Sequence, residues 1–400
     1  MSWSQVTVVA QQRVSLGTGS ERGFLTQSHP YVPGSVLRGA LAAAWITERG
    51  IPAPGDGFRE LFDGNVRFGA LFATGSRVQP LSVVSCKYPR PDCPARTRDR
   101  AFLPDGPVDC PVCGVADTAR GGVVGVRTES HTSTAIDPAT GSAKEGQLFS
   151  RESLPPGTTL SGLITCALEQ LPSAAVLRFG GRRSVLGQVS LNIAAAPPPA
   201  AARTGRAAVT LTSPAVLVDD YGAPTTDLAA ALRHRGLTVL DTFTRSTSAG
   251  TGGWHAASGL PKPTELALVA GSTAVLDVSD ADRPQLDALM REGLGLRRSE
   301  GFGWIDVREQ AWQGPRSAPA TVPTNVVRDL PTLQRDLTDW LIDRLRETGA
   351  GVTVAAAALA EARVRHVDAS TLAVLRTELE RPAAERLARA DIMEYRRGAA

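Results

Sequence analysis

Lysine is almost missing from this chain: of 43 basic residues only Lys87, Lys144 and Lys262 are lysines, and the rest are arginines. Forty acidic residues nearly cancel that charge and leave a net +3, so no whole-molecule field draws in a polyanion. Any nucleic-acid site must therefore be local. Aromatic residues are scarce at 5%, and five cysteines in 400 residues are too few for a secreted disulfide scaffold. No apolar run approaches the ~18 residues that span a bilayer. Met1-Ser2-Trp3-Ser4-Gln5 lacks the basic patch and apolar core of a secretory signal. A soluble, cytoplasmic protein with no membrane partner is expected. Its length and 42% apolar composition leave room for two or three domains with real cores.

Patterning organises the chain. A Val-rich strand is expected over residues 5–16, then a glycine-rich loop over 17–33. A helix should follow from Gly34 and Ser35 through Leu37, Leu41 and Trp45 to Arg49, with Ser35 as its cap. Strands are expected over 66–73 and 158–167, separated by an irregular, Pro- and Asp-rich segment (86–122) and a polar one (about 128–158). The Pro/Ala-rich stretch 194–206 reads as a linker, and a second runs near 314–323. Strands over 207–218, 265–270 and 272–278 and helices over 226–235 and 282–292 lie between them. Beyond Leu330 a helical period sets Leu333, Leu337, Trp340, Leu341 and Leu345 on one face. Domains are thus expected over 1–193, 207–313 and 324–400.

The two central halves repeat. A strand and a helical stretch lead into Phe179-Gly180-Gly181-Arg182-Arg183-Ser184-Val185-Leu186-Gly187 and then a strand. About 115 residues later the same order ends in Gly293-Leu294-Gly295-Leu296-Arg297-Arg298-Ser299-Glu300-Gly301-Phe302-Gly303, whose closing glycine comes one residue later. Two diverged α+β units of the split βαβ kind explain the pattern. Glycine loops let backbone N–H groups approach an anion, and the recurring Arg-Arg-Ser favours a phosphodiester over a mere tight turn. The Pro33-Gly34 start of the first helix likewise leaves amides free, with Ser35 and Arg38 close by.

Cys86, Cys93, Cys110 and Cys113 form the strongest chemical constellation. The close pair Cys110-Pro111-Val112-Cys113, followed by Gly114, lets both thiolates reach one ion, although the first pair is spaced more loosely than usual. A closed, structural zinc site is expected, with Cys166 left in an apolar strand as core. Trp254-His255, in a Gly/Ser/Thr-rich loop, can stack on a base or dock on a neighbour.

Tyr31-Val32-Pro33-Gly34-Ser35-Val36-Leu37-Arg38-Gly39 after a first strand resembles the signature of the CRISPR-associated RAMP superfamily, and residues 295–303 resemble its terminal glycine-rich loop. Asn65-Val66-Arg67-Phe68-Gly69 and the stretch from Ile136 to Phe149, running into Glu152-Ser153-Leu154-Pro155, are similar to type III effector subunits. Over about residues 5–310 the chain looks most like the Cas5-like RAMP subunit of type III-D effector complexes. The resemblance implies an α+β fold of two ferredoxin-like (RRM-like) RAMP domains, with a zinc-binding insertion and a C-terminal helical region. It implies CRISPR guide RNA, complementary target RNA, other RAMP subunits and the large subunit as partners. Guide contacts would come from Gly34, Ser35, Arg38, Gly181, Arg182, Arg183, Ser184, Arg297, Arg298, Ser299, Gly301 and Phe302, and residues 131–149 would form a thumb-like hairpin.

The chain departs from the cutting branch of that family. Residues 17–33 hold Glu21 and His29 but no aspartate, where target-cutting members carry one. Asp137 remains an acidic candidate within an Asp-Pro turn, and His29 beside Tyr31 is the histidine placed for metal-independent guide processing. Binding without catalysis is expected, and an endoribonuclease is the alternative.

Overall fold

The structure, a computed structural model, describes residues 2–22, 25–88, 93, 97–103, 109–180, 186–199, 204–248, 251–255, 258–315, 335–364 and 368–399. The chain divides into two compact units, residues 1–317 and 318–400. Among the described residues no helix is long and apolar enough to cross a membrane.

The first unit holds two sheets of the same plan. In the first, β1 (Trp3–Ala10), α1 (Gly34–Arg49), β2 (Phe72–Ala73), β3 (Thr159–Ile164) and β4 (Gln188–Ala196) follow in the chain. The sheet order is β4-β1-β3-β2, all antiparallel, with Val176–Arg178 added outside β4. In the second, β5 (Gly205–Leu211), α2 (Leu228–Arg233), β6 (Thr238–Phe243), β7 (Thr273–Val278), α3 (Arg283–Glu292) and β8 (Ile305–Arg308) pair as β8-β5-β7-β6. Both are the strand order of a split βαβ sandwich. The first has a single 3-10 turn, Leu168–Gln170, where the second has α3.

Alternation builds each core. Val6, Val8 and Ala10 of β1 turn inward against Leu37, Leu41 and Trp45 of α1, together with Phe62, Phe68, Leu160 and Ile164. Leu37 and Leu41, one helical turn apart, are both fully buried, which stabilises by about 1.5–3 kcal/mol each. Ala207, Val209 and Leu211 of β5 likewise face Leu232, Leu286 and Leu289.

The outer faces differ. Gln5 and Asn192 are exposed and Thr7 and Ser161 half-buried on the first sheet. On the second, Ala208 and Val275 are buried beneath Ala101. Ala101 belongs to an insertion of short strands, Arg77–Gln79, Val83–Cys86, Thr97–Asp99, Asp117–Ala119 and Gly122–Val124. The Asp99 carboxylate fastens it, ion-pairing with Arg308 at 2.7 Å and accepting from Ser82 Oγ and the Trp312 N–H. Leu81 N–H donates to the Gly271 carbonyl at 2.7 Å, and Arg206 Nε to that of Ala101 at 2.6 Å.

Several expected boundaries move. The first strand ends at Ala10, because the chain bends before Val14 bridges Leu154. The glycine-rich loop contains two paired strands, Gly17–Arg22 and Leu25–Ser28, recruited to the edge of a long hairpin formed by Glu129–Ile136 and Ala143–Ser153. Of the 66–73 strand only Phe72–Ala73 is regular, and Ser35 does not cap α1, whose N-cap is Pro33. The 194–206 linker loses its ends, since Ala196 pairs with Trp3 and Gly205 with Val278. The strand over 207–218 breaks after Leu211, and Leu217–Val218 pairs separately with Pro224–Thr225. The 265–270 strand shrinks to Ala267–Leu268. Most of the second linker lies outside the described residues.

The second unit comprises α4 (Arg335–Gly349), α5 (Ala355–Val364), α6 (Ala369–Leu379) and α7 (Ala383–Ala399). Trp340, Leu341, Ile342 and Leu345 meet Ala362, Leu375, Leu379 and Met393. A buried two-pronged ion pair joins Glu378 to Arg389 at 2.6 and 2.7 Å.

Candidate functional site

The repeated loops occupy equivalent places in the two halves. Phe179 N–H donates to the Gly187 carbonyl at 2.8 Å, and Leu294 N–H to the Gly303 carbonyl at 2.9 Å. Gly187 N–H then donates to the Arg13 carbonyl and Gly303 N–H to that of Pro214. Both closing glycines have positive φ, and a Cβ on either would lie within 2 Å of the carbonyl oxygen that begins its loop. Gly181, Arg182, Arg183 and Ser184 lie outside the described residues.

The second loop is tied down by Arg297, the one non-glycine residue with positive φ among those described. Its guanidinium donates to Glu265 at 2.6 Å, to Glu300 at 2.8 Å and to the carbonyls of Thr251 and Gly252, and it stacks 4.5 Å over Phe302. Burial alone would lower its pKa, but the two carboxylates raise it on balance. Arg297 therefore spends its donors on the loop itself, and Phe302 is buried beneath it. Arg298 reaches the Glu292 carbonyl at 3.4 Å. Arg38 bonds the Phe62 carbonyl and Asp63.

Gly301 and Gly34 meet backbone to backbone. A Cβ on Gly34 would sit 2.0 Å from the Phe68 oxygen and 2.8 Å from Gly301 Cα. The start of α1 is thereby pressed to the second loop. No side chain caps that helix and no acidic residue lies in its first turn, so its dipole faces the loop uncompensated. Arg67 locks the same junction: buried, it donates to the carbonyls of Met290 and Arg291 that end α3 and stacks 4.1 Å from the Trp304 ring. Burial, with Arg298 near, lowers its pKa to about 9.

Between the halves lies a cleft of about 620 Å³ whose lining includes His29, Tyr31, Gly34, Ser35, Lys262 and Gly301. Burial pushes the His29 pKa down to about 4 and that of Tyr31 up to about 12. The two rings lie 5.2 Å apart. Lys262 is held by Glu300 at 2.8 Å. Asp137 is not near this cleft's lining; its carboxylate accepts from Ala139 N–H at 2.8 Å and shapes the hairpin turn. Trp254 stands 63% exposed on a short hairpin. Sequence reasoning assigned no role to Lys262, Glu265 and Glu300, because no local pattern marks residues that only the fold brings together, Glu265 and Glu300 on Arg297 and Lys262 on Glu300.

The four cysteines of the insertion come together. Their sulfur atoms lie within 4.8 Å of one another, with Cys93–Cys110 and Cys86–Cys113 each at 3.7 Å, so they can hold a metal ion. Cys110 N–H donates to Val115, and Gly114, at positive φ, donates to the Cys110 carbonyl. The Cys113 and Val112 amides point at the Cys110 sulfur and lower its pKa to about 6, which favours a thiolate. Cys166 is buried in the first core.

The RAMP superfamily model matches residues 16–185, and that of the CRISPR-associated protein Cas_Cmr3 matches residues 116–306. Together the two matches span residues 16–306 and support a CRISPR RAMP protein. No curated protein matches it. Among solved structures, it is similar to a chain of the type III-B Cmr-beta complex bound to cognate target RNA and AMPPnP, at 13% identity over 68% of this chain and 86% of that one, with a TM-score of 0.39. It is also similar to a Cas6-related protein from Pyrococcus furiosus, at 7% identity over 77% and 99% of the two chains and a TM-score of 0.34. The matches named here do not extend to the type III-D subtype.

Proposed function

We propose that this RAMP protein binds CRISPR guide RNA, without cutting it, inside a type III RNA-targeting effector complex that serves antiviral defence in the cytoplasm. One observation carries the reading: Gly180 and Gly301, one from each repeated loop, and the uncapped start of α1 line one cleft between the two halves. Gly34, Ser35 and Gly301 supply close backbone approach there, and Arg298, Ser299 and Arg38, from the second loop and α1, would add donors to the guide. Arg297 and Phe302 act as the loop's frame. The hairpin of residues 129–153 serves as the thumb beside the guide–target duplex. Guide RNA, target RNA, further RAMP subunits and the large subunit are the partners, as type III complexes in the matched structures support.

The endoribonuclease alternative draws less support. A general base works best near the operating pH, and His29 at about 4 lies well below it. Asp137 is engaged in its turn. For the insertion we infer structural zinc: a tetrahedron of thiolates about 2.3 Å from zinc has edges of about 3.8 Å, close to the two 3.7 Å separations. Four thiolates would leave no open position for chemistry.

The test is to express the chain with its neighbouring genes, purify it and sequence the RNA that accompanies it. Guide-length RNAs sharing one repeat-derived 5′ end are expected. RNA without a common end, or none, overturns the reading, and metal-dependent cleavage abolished by Asp137→Ala would install the enzyme instead.

A further inference from the structure

The base of the long hairpin carries a second, smaller feature. Arg13, His131, Phe149, Arg151, Ser153 and Leu186 line a cavity of about 90 Å³. The hairpin register sets His131 directly opposite Arg151, and Ser153 follows two residues later on the same face. Arg13 comes from the chain just past β1, held where its carbonyl accepts the Gly187 N–H. Three donating side chains thus converge from two parts of the fold, the hairpin and the chain just past β1.

Nothing acidic lines that space. The Arg13 and Arg151 guanidiniums and the His131 ring have no hydrogen-bond or ion-pair partner among the described residues. Glu129, on the same hairpin face, is paired with Arg127 at 3.7 Å, and Glu152 turns away to accept from the Ser28 N–H. Ser153 is only 2% exposed, yet its hydroxyl is buried without any partner. A buried orphan hydroxyl costs stability, and an absent ion or water is its usual explanation. Arg13 and His131 are exposed and Arg151 is half-buried, so water screens part of their mutual repulsion, and an anion between them would relieve the remainder.

We propose that this cavity is a socket for a single phosphate group. Its volume is far below the ~300 Å³ at which small-molecule pockets begin, so it admits one tetrahedral oxyanion and excludes a base or nucleoside. Arg13 and Arg151 would fork onto its oxygens, and His131 and Ser153 Oγ would donate to those remaining. The phosphate is either a backbone diester or a terminal monoester of RNA, and this part rests on the guide-binding reading above.

Inorganic phosphate titrated against the full chain at constant ionic strength, with thermal unfolding as readout, tests the socket alone. The wild-type protein should show a saturable rise in Tm that Arg151→Gln and Ser153→Ala both lose. Ser153→Ala guards against misfolding, because deleting an orphan hydroxyl should leave the phosphate-free protein at least as stable. No phosphate response in the wild type, or an equal response in all three proteins, overturns the proposal. RNA binding then identifies the source. A roughly tenfold loss in Arg151→Gln for 5′-phosphorylated and 5′-hydroxyl RNA alike assigns a diester. A loss confined to the phosphorylated RNA assigns a terminal phosphate. A phosphate response without RNA binding would sink the guide reading and leave the socket, whereas unchanged RNA binding with no phosphate response would do the reverse.

Discussion

The two sheets of the first unit share a strand order but not a surface. The outer face of the first, around Thr7, Asn192 and Ser161, stays open to solvent, while that of the second is roofed by Ala101 and Phe102 of the cysteine-bearing insertion. The two halves share a topology, and the insertion packed on the second sheet leaves only the first with a free face. An open sheet face is where RRM-type domains stack bases, and the covered second sheet offers no such face.

Removing the proposed zinc should break this contrast most strongly. A strong chelator, or Cys110→Ser, should unfold the insertion and leave Ala208 and Val275 unprotected, read as lost hydrogen-exchange protection over residues 83–119 with a fall in bound zinc. Ala208→Glu on the covered face and Asp99→Asn beneath it come next. The Asp99 change leaves the partly buried Arg308 without its carboxylate, with only the Gln310 carbonyl among the described residues to accept from it, at a cost of about 3 kcal/mol in denaturant unfolding at neutral pH. That cost should vary with pH. Burial would raise the Asp99 pKa, but Arg308 and Ser82 hold it below its ordinary value on balance. The stabilisation is then complete above about pH 4 and lost as pH falls through the lowered folded value, so wild type and Asp99→Asn should converge in acid. Gly34→Ala drives a methyl into the Phe68 carbonyl and should cost about 1–3 kcal/mol or more while weakening RNA binding. Thr7→Glu on the open face should shift stability by no more than about 0.5 kcal/mol. If Thr7→Glu proves as damaging as Ala208→Glu, the contrast fails.

The closing glycines Gly187 and Gly303 were legible because a backbone that forbids Cβ can be answered by one residue type alone. The α1 helix and the cysteine spacing were legible for similar reasons, a strict period and a strict ligand chemistry. The paired strands within residues 17–28 were not, since their partner is a hairpin more than a hundred residues away. Nor did any motif distinguish Arg297 from Arg298, although one is locked between Glu265 and Glu300 and its neighbour reaches a carbonyl at 3.4 Å.

Local rules thus determined by themselves the repeat, the first helix and the grouping of the four cysteines, because periodicity, positive φ and thiolate spacing act over a few residues. Which arginines stay available, which sheet face survives and where His131 meets Arg13 were decided only by the tertiary structure. Those outcomes depend on long-range contacts, and the energy of a charge is set by whatever else the fold brings within a few ångströms of it.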